Sequence, residues 1–240
     1  MTGNRRIGKL NIGISRFKHP DNMTRTDPFL RERGGVAKGP VPSPAQEARQ
    51  VTPEELSRWL LEHQEAMAER WFLEVRSRAD GMDDEVSGLV QEFLQLLTKF
   101  LAPGMGAFRD QIEPVFQQAA ELYGNLGAHR GQAAGESVEE FQLLREVVLR
   151  FLHNEGPGEG AEDLGLRELL QLHRLIDQGV TYASIGHTDS LFFNLFHGTG
   201  VSDTPTPALL AEVREQVMGL DEELERLLTH EMRADPLHMS

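Results

Sequence analysis

Residues 52–75 read TPEELSRWLLEHQEAMAERWFLEV, and this stretch indicates that the ordered part of the chain is helical. Thr52 is a typical helix N-cap, Pro53 fits the first helical position, and Glu55 completes a capping box. Behind this start the mostly apolar side chains recur at steps of three and four residues, which places them on one face of a helix. They are Leu56, Trp59, Leu60, His63, Met67, Trp71 and Val75.

Four further helical segments follow, and together they predict an all-α body. They are expected at about 83–101, at about 107–126, from the cap formed by Ser137 and Glu140 onward, and at about 162–196. The residues 102–104 are expected to end the first of these segments, and a glycine-rich turn is expected over 127–135. Gly179 and Gly186 are expected to bend the last segment. No stretch alternates apolar and polar residues as a half-buried β-strand does.

A helix near the C-terminus carries a heptad pattern. Its apolar residues step 3, 4, 3, 4, 3, which is the spacing of the a and d positions of a coiled coil. These candidate interaction residues are Leu210, Val213, Val217, Leu220, Leu224 and Leu227. The pattern favours pairing with a second chain, and packing on the parent body stays open as the alternative. If the helices pair, Leu220→Asp is expected to weaken self-association.

The charge is distributed unevenly along the 240-residue chain. Residues 1–50 hold ten Lys/Arg and four Asp/Glu, a net of +6, whereas the remaining residues hold 14 basic and 34 acidic side chains, a net of −20. An acidic body of this size repels phosphate backbones, so we expect no nucleic-acid partner. The longest apolar runs, such as Leu94–Leu97, are far shorter than the ~20 residues of a membrane helix, so we expect no membrane partner.

Cysteine is absent, and its absence excludes several kinds of chemistry. A disulfide scaffold, a thiolate zinc site, an iron–sulfur cluster and a cysteine nucleophile all require it. The sequence also lacks a Gly-rich phosphate loop, a Gly-x-Ser-x-Gly elbow and a His-Glu-x-x-His pair. We therefore expect no enzymatic activity, no cofactor and no metal. The basic N-terminus has no apolar stretch behind it, so we expect no secretory signal and a cytoplasmic location.

Three histidines leave a second interpretation open. His63 and His173 fall on apolar helix faces, and His129 lies at a helix–helix junction. In a helical sensor, such a histidine can ligate haem iron. The simpler interpretation, which we favour, makes each of them a core or rim histidine with a satisfied ring nitrogen. His187, which precedes Thr188 and Asp189, is expected on a helix surface.

The order of the segments and one motif-rich stretch resemble a known family. Residues 122–145 read LYGNLGAHRGQAAGESVEEFQLLR and follow an apolar helix that ends in Leu-Ala-Pro. A Gly-x-x-Arg turn, a Gly-Ser-x-Glu-Glu cap and a Leu-Leu-Arg run recur in that family. Over about residues 52–196 the chain resembles the N-terminal sensor domain of the RsbT co-antagonist (RsbRD-type) stress-signalling proteins.

This resemblance implies a globin-like helical fold without haem, usually dimeric, that serves as the input module of a stress-signalling protein. In the family an output domain follows, either a STAS domain of the stressosome or a kinase. The present sequence stops at Ser240 after the acidic heptad helix, so we expect a free-standing sensor or adaptor. Its expected partners are a second copy of the chain and a stress-signalling protein.

The expected organisation has five parts. They are a disordered basic head (1–50), a globin-like sensor domain (51–197), a linker (198–207), a dimerisation or relay helix (208–233) and a disordered tail (234–240). The expected function is that of a non-enzymatic signal-input or adaptor protein of a bacterial-type stress-response pathway. The alternative is a haem- or small-ligand-binding sensor of the globin type.

Overall fold

The computed structural model describes residues 51–79, 82–157, 164–197 and 204–234, and all regular structure in these ranges is helical. The helices are α1 (Pro53–Arg78), α2 (Asp84–Lys99), α3 (Leu101–Met105), α4 (Arg109–His129), α5 (Ala134–Glu155), α6 (Leu166–His197) and α7 (Pro207–Ala234). The all-α prediction is therefore confirmed for these ranges, and none of their helices is both long and apolar enough to cross a membrane. The predicted head (1–50), residues 198–203 of the predicted linker and residues 235–240 of the predicted tail lie outside the described residues.

The start of α1 is the capping box that the sequence predicts. Thr52 Oγ1 accepts a hydrogen bond of 3.2 Å from the Glu55 N–H, and Glu55 Oε2 accepts one of 3.0 Å from the Thr52 N–H. The apolar face behind this cap is buried against α2, α3 and α5. Trp71 is fully buried there, and its indole Nε1 donates a hydrogen bond of 2.7 Å to the Glu140 carbonyl of α5. The periodic residues of α1 thus form one wall of the core.

The region after α2 differs from the prediction. Residues 102–104 do not end a helix, because Leu101–Met105 forms the short helix α3. Pro103 is tolerated because it lies in the first turn of α3, where backbone N–H groups have no partner within the helix. All of α3 is buried, and a Cβ on Gly104 would come 2.5 Å from Cδ2 of Leu175 on α6.

The turn between α4 and α5 is shorter than predicted. α4 continues to His129, through the first part of the expected glycine-rich turn, and α5 begins at Ala134. Ser137 is not the N-cap, since it lies inside α5 and is 0% exposed. Glu136 acts at the helix start instead, because its Oε2 accepts a hydrogen bond of 2.6 Å from the Ala133 N–H. An acidic side chain three residues into a helix can satisfy this N–H without a capping hydroxyl.

The two long helices α4 and α6 cross in backbone contact. A Cβ on Gly124 of α4 would lie 1.8 Å from the carbonyl oxygen of Ala183, and a Cβ on Gly186 of α6 would lie 1.9 Å from that of Glu121. Gly179 packs against the Phe141 ring, where a Cβ would come within 2.4 Å. Gly179 and Gly186 therefore have a role that the sequence interpretation did not predict, since they let neighbouring elements approach α6 closely. That they also bend α6 stays a prediction.

The heptad helix α7 lies against α2 and α4 of the same chain. Five of the six candidate interaction residues are buried there, namely Leu210, Val213, Val217, Leu220 and Leu224, and Leu227 is half-buried. Ion pairs flank this contact, among them Lys99 Nζ–Asp221 Oδ1 at 2.7 Å and Arg214 Nε–Glu92 Oε2 at 3.1 Å. The structure thus has the packing on the parent body that the sequence left open. A second chain can reach the heptad face of α7 only if α7 moves away from α2 and α4.

Candidate functional site

A buried polar network joins α4, α5 and the turn between them. At its centre is the carboxylate of Glu140, whose side chain is 9% exposed. Tyr123 Oη donates to Glu140 Oε2 at 2.5 Å, and Gln132 Nε2 donates to Oε1 at 2.7 Å. Arg130 Nη2 donates to the same Oε1 at 3.3 Å. Three donors from two different parts of the chain therefore hold one carboxylate inside a helical core.

The backbone of the α4–α5 turn brings these donors to Glu140. Gly131 has a φ of 72°, a left-handed conformation that glycine adopts without strain. The Gly131 N–H donates to the Ala128 carbonyl and the Gln132 N–H to the Gly127 carbonyl, each at 3.1 Å. These bonds close the C-terminus of α4 and turn the chain back toward α5. Arg130 of the Gly-x-x-Arg motif and Glu140, the second of the paired glutamates, are therefore parts of one site.

Tyr123 is held as a neutral phenol. Burial first, and then the negative charge of Glu140, raise the pKa of Tyr123 well above its ordinary value of 10.0. The two groups that carry charge beside it are Glu140 and Arg130. The hydroxyl can therefore donate to the carboxylate throughout the neutral and moderately alkaline range.

This raised pKa predicts how stability depends on pH. A folded-state pKa above the unfolded value of about 10 gives a contribution that is complete below pH 10 and is lost as the pH rises toward the folded-state pKa. Tyr123→Phe is expected to cost about 1.5–3 kcal/mol at pH 7, because it removes a hydrogen bond to a charged group. It is also expected to flatten the fall in stability above pH 10. Urea unfolding between pH 7 and 11 measures both effects, and Tyr182→Phe, which changes the chain's other tyrosine, is the control. An unchanged alkaline slope in Tyr123→Phe would contradict the assignment.

Four polar atoms around this network have no hydrogen-bond partner among the described residues. They are Arg130 Nη1, Gln132 Oε1, Ser137 Oγ and His187 Nδ1. His187 is 1% exposed, so it is not the surface histidine that the sequence predicts. Its Nε2 lies 2.8 Å from the Gln132 carbonyl and donates to it, which leaves Nδ1 as an acceptor. The network therefore has both donor and acceptor capacity in reserve.

A cleft of about 360 Å³ opens beside the network. It lies between the end of α1, the start of α2, the α4–α5 turn and the residues that lead into α7, and its walls include Arg78, Met82, Val86, Arg130, Gln132 and Pro205. A smaller hollow of about 100 Å³ shares Arg78 and Gln132 with it and reaches Glu140. The buried network therefore borders a space of a size typical of small-molecule sites.

The three candidate haem histidines lie on three different helices. His63 Nδ1 is 2.8 Å from the Trp59 carbonyl and its ring stacks on the Trp59 indole, while His129 Nδ1 is 2.9 Å from the Asn125 carbonyl. His173 Nε2 is buried without a partner among the described residues. None of the three lines the clefts described here, and the described residues contain no cluster of three or more His, Asp or Glu that could hold a metal. That one of these histidines ligates haem iron stays a prediction.

The cleft and the role of Gln132 were missed by the sequence interpretation, although one signal pointed to the network. Glu140 falls three residues after Ser137 and four before Leu144, on the face of α5 that is buried. A glutamate on an apolar helix face requires a buried partner. That requirement alone predicts a polar site here, but it does not name the turn that supplies the partners.

Comparison with known proteins gives no match to a protein-family model, to a curated protein or to a solved structure.

Proposed function

We propose that this chain is a signal-input or adaptor module of a bacterial-type stress-response pathway, and that it acts through protein–protein contacts rather than catalysis. Two arguments support this. Residues 52–196 resemble the RsbRD-type sensor domains, whose fold is a globin-like bundle that usually forms dimers. The described residues are helical, as such a domain requires. The partner is a second copy of this chain or a helix of a signalling protein.

One observation carries the proposal. The apolar residues of α7 have the a/d spacing that suits a partner helix, yet in this structure α2 and α4 cover them. A helix whose single apolar face fits two partners can exchange one for the other. The docked arrangement hides the interaction face, and the undocked arrangement offers it. α7 would then relay a signal from the body.

The ion pairs at the edges of the seam contribute little to the docking of α7. In the pair of Lys99 with Asp221, the two side chains are 33% and 34% exposed, and ion pairs of this kind contribute about 0–1 kcal/mol. The main contribution comes from the buried apolar residues along the seam. A signal must shift this balance by only about 1–3 kcal/mol to have a typical allosteric effect.

Leu220→Asp tests the role of the seam. Leu220 is 8% exposed, so a charge there is expected to release α7 and also to prevent it from pairing. Met218→Asp is the matched control, because Met218 lies on the same helix and is 54% exposed. We expect the wild-type protein and Met218→Asp to show a concentration-dependent dimer in light scattering, and Leu220→Asp to remain monomeric. Equal masses for all three proteins at every concentration would contradict the proposal.

A small-ligand sensor is the second candidate, and one observation favours it. The cleft of about 360 Å³ beside Arg130 also touches Thr204 and Pro205, which lead into α7. An occupant of this cleft would contact both the helical body and the residues that precede α7.

A further inference from the structure

We propose that the cleft beside Arg130 binds a small organic carboxylate. Arg130 lines the cleft, and its side chain is only 6% exposed. A guanidinium has five N–H donors, and buried donors are normally paired. Its Nη2 makes one long hydrogen bond of 3.3 Å to Glu140, whereas its Nη1 has no partner among the described residues. Arg130 therefore has an unsatisfied donor at the wall of the cleft. Since Nη1 is itself buried, an acceptor that enters the cleft reaches it only when the lining side chains shift.

The charges of the lining select among anions. Among the described residues that line the space, two are arginines and two are acids, namely Arg78, Arg130, Asp83 and Glu136. Both acids already accept a backbone hydrogen bond at a helix start, Asp83 from the Val86 N–H at 2.8 Å and Glu136 from the Ala133 N–H at 2.6 Å. These four charges balance and Glu140 lies beside Arg130, so the site has no excess of positive charge, which disfavours a multiply charged anion such as phosphate. A single carboxylate matches the fork of a guanidinium and adds only one negative charge.

The walls and the volume define the rest of the ligand. Ala79, Met82, Val86 and Pro205 give the cleft apolar surface. Its volume of about 360 Å³ lies at the small end of the range for small-molecule pockets, which is roughly 300–1,000 Å³. The geometry therefore points to a carboxylate with a compact apolar body, and Asp83 and Glu136 also allow an ammonium group on that body, as in an apolar amino acid.

The cleft lies next to the residues that lead into α7, so a bound ligand would affect the docking of that helix. Pro205 lies two residues before α7 begins at Pro207, so an occupant would touch the lead-in of the relay helix. This coupling rests on the proposed function, whereas binding itself does not. Occupancy is expected to bias the docking of α7 on α2 and α4.

Calorimetric titration of the full chain tests the binding. The probes are sodium isovalerate, sodium phenylacetate and L-leucine, with phenylacetamide and inorganic phosphate as comparisons. We expect at least one carboxylate to bind saturably, and to bind at least tenfold more tightly than phenylacetamide or phosphate. Failure of all three carboxylates to bind up to about 10 mM, or equal binding of the amide or phosphate, would overturn the proposal.

Two variants locate the site. Arg78→Gln is expected to weaken carboxylate binding about tenfold, because Arg78 lines the cleft and is exposed, so the fold does not depend on it. Arg76→Gln, an equally exposed arginine two residues earlier that does not line the cleft, is the matched control and should bind as the wild type does. Arg130→Lys is expected to lose carboxylate binding if the variant folds. If Arg78→Gln binds the carboxylate as tightly as the wild type does, the proposed location of the site is wrong.

Hydrogen exchange distinguishes ligand binding in the cleft from its proposed effect on α7. With a saturating carboxylate, the amide exchange of residues 207–234 is expected to change at least threefold. A carboxylate that binds without any change in α7 would overturn the coupling and count against the proposed function, while the binding site would stand.

Discussion

Gly186→Ala is expected to remove a large part of the stability of this protein, although it adds only one methyl group. The new Cβ would lie 1.9 Å from the carbonyl oxygen of Glu121 and 2.7 Å from its carbonyl carbon. Overpacking costs about 1–3 kcal/mol where side chains can move aside. Here the obstacle is the backbone of α4, so α4 and α6 must separate along their whole contact. We expect a loss of more than about 3 kcal/mol, from a total that for most domains is about 5–15 kcal/mol.

The matched control is Gly219→Ala, because nothing lies within 4 Å of a Cβ at that helical position. It is expected to stabilise the protein by about 0.5–1 kcal/mol, since alanine loses less backbone entropy in a helix than glycine does. Urea unfolding followed by far-ultraviolet circular dichroism measures both variants. If the free energy of unfolding of Gly186→Ala lies within about 1 kcal/mol of the wild-type value, the close crossing of α4 and α6 is wrong.

This crossing also marks a limit of what the sequence predicts. The spacing of apolar residues predicts that residues 166–197 are helical, because helical periodicity is a local property of the chain. It does not say what approaches the helix. Gly186 was therefore interpreted as a bend, whereas its partner is the backbone at Glu121, 65 residues earlier in the chain. Close approach between distant helices has no signature in either sequence segment alone.

The same limit applies to α7. Its apolar face was predicted from the heptad spacing, and the five residues from Leu210 to Leu224 in this seam are buried. The surface that covers them was not predictable, because a two-in-seven stripe packs equally well on a partner helix or in a groove between α2 and α4. What decides the outcome is the complementary groove, which only the folded body provides.

In the candidate site, the sequence identified the residues but not their roles. Ser137 and Glu140 were paired as a capping box, on the rule that a hydroxyl precedes an acid by three residues. The same spacing also places two residues on one face of a helix, and this second meaning is the correct one, since both are buried inside α5. The partners Arg130 and Gln132 come from a turn whose length was overestimated.

Glu140→Leu is the second substitution with a large expected effect. It would leave the guanidinium of Arg130 buried without its carboxylate, and the hydroxyl of Tyr123 and the amide of Gln132 without their acceptor. Breaking a buried charge pair by removing one partner costs about 3–5 kcal/mol. Glu139→Leu is the matched control, because Glu139 is the exposed neighbour on the same helix, and we expect it to change stability by less than about 0.5 kcal/mol.

A double-mutant cycle with Arg130→Met distinguishes a lost charge pair from a general loss of packing. If the cost of Glu140→Leu comes from the unpaired guanidinium, then the double variant is expected to recover at least half of it, because apolar replacements of a buried ion pair are often well tolerated. Chemical unfolding of the four proteins gives the coupling free energy. Strict additivity would mean that Arg130 and Glu140 do not stabilise each other, and would contradict a buried charge pair at the centre of this network.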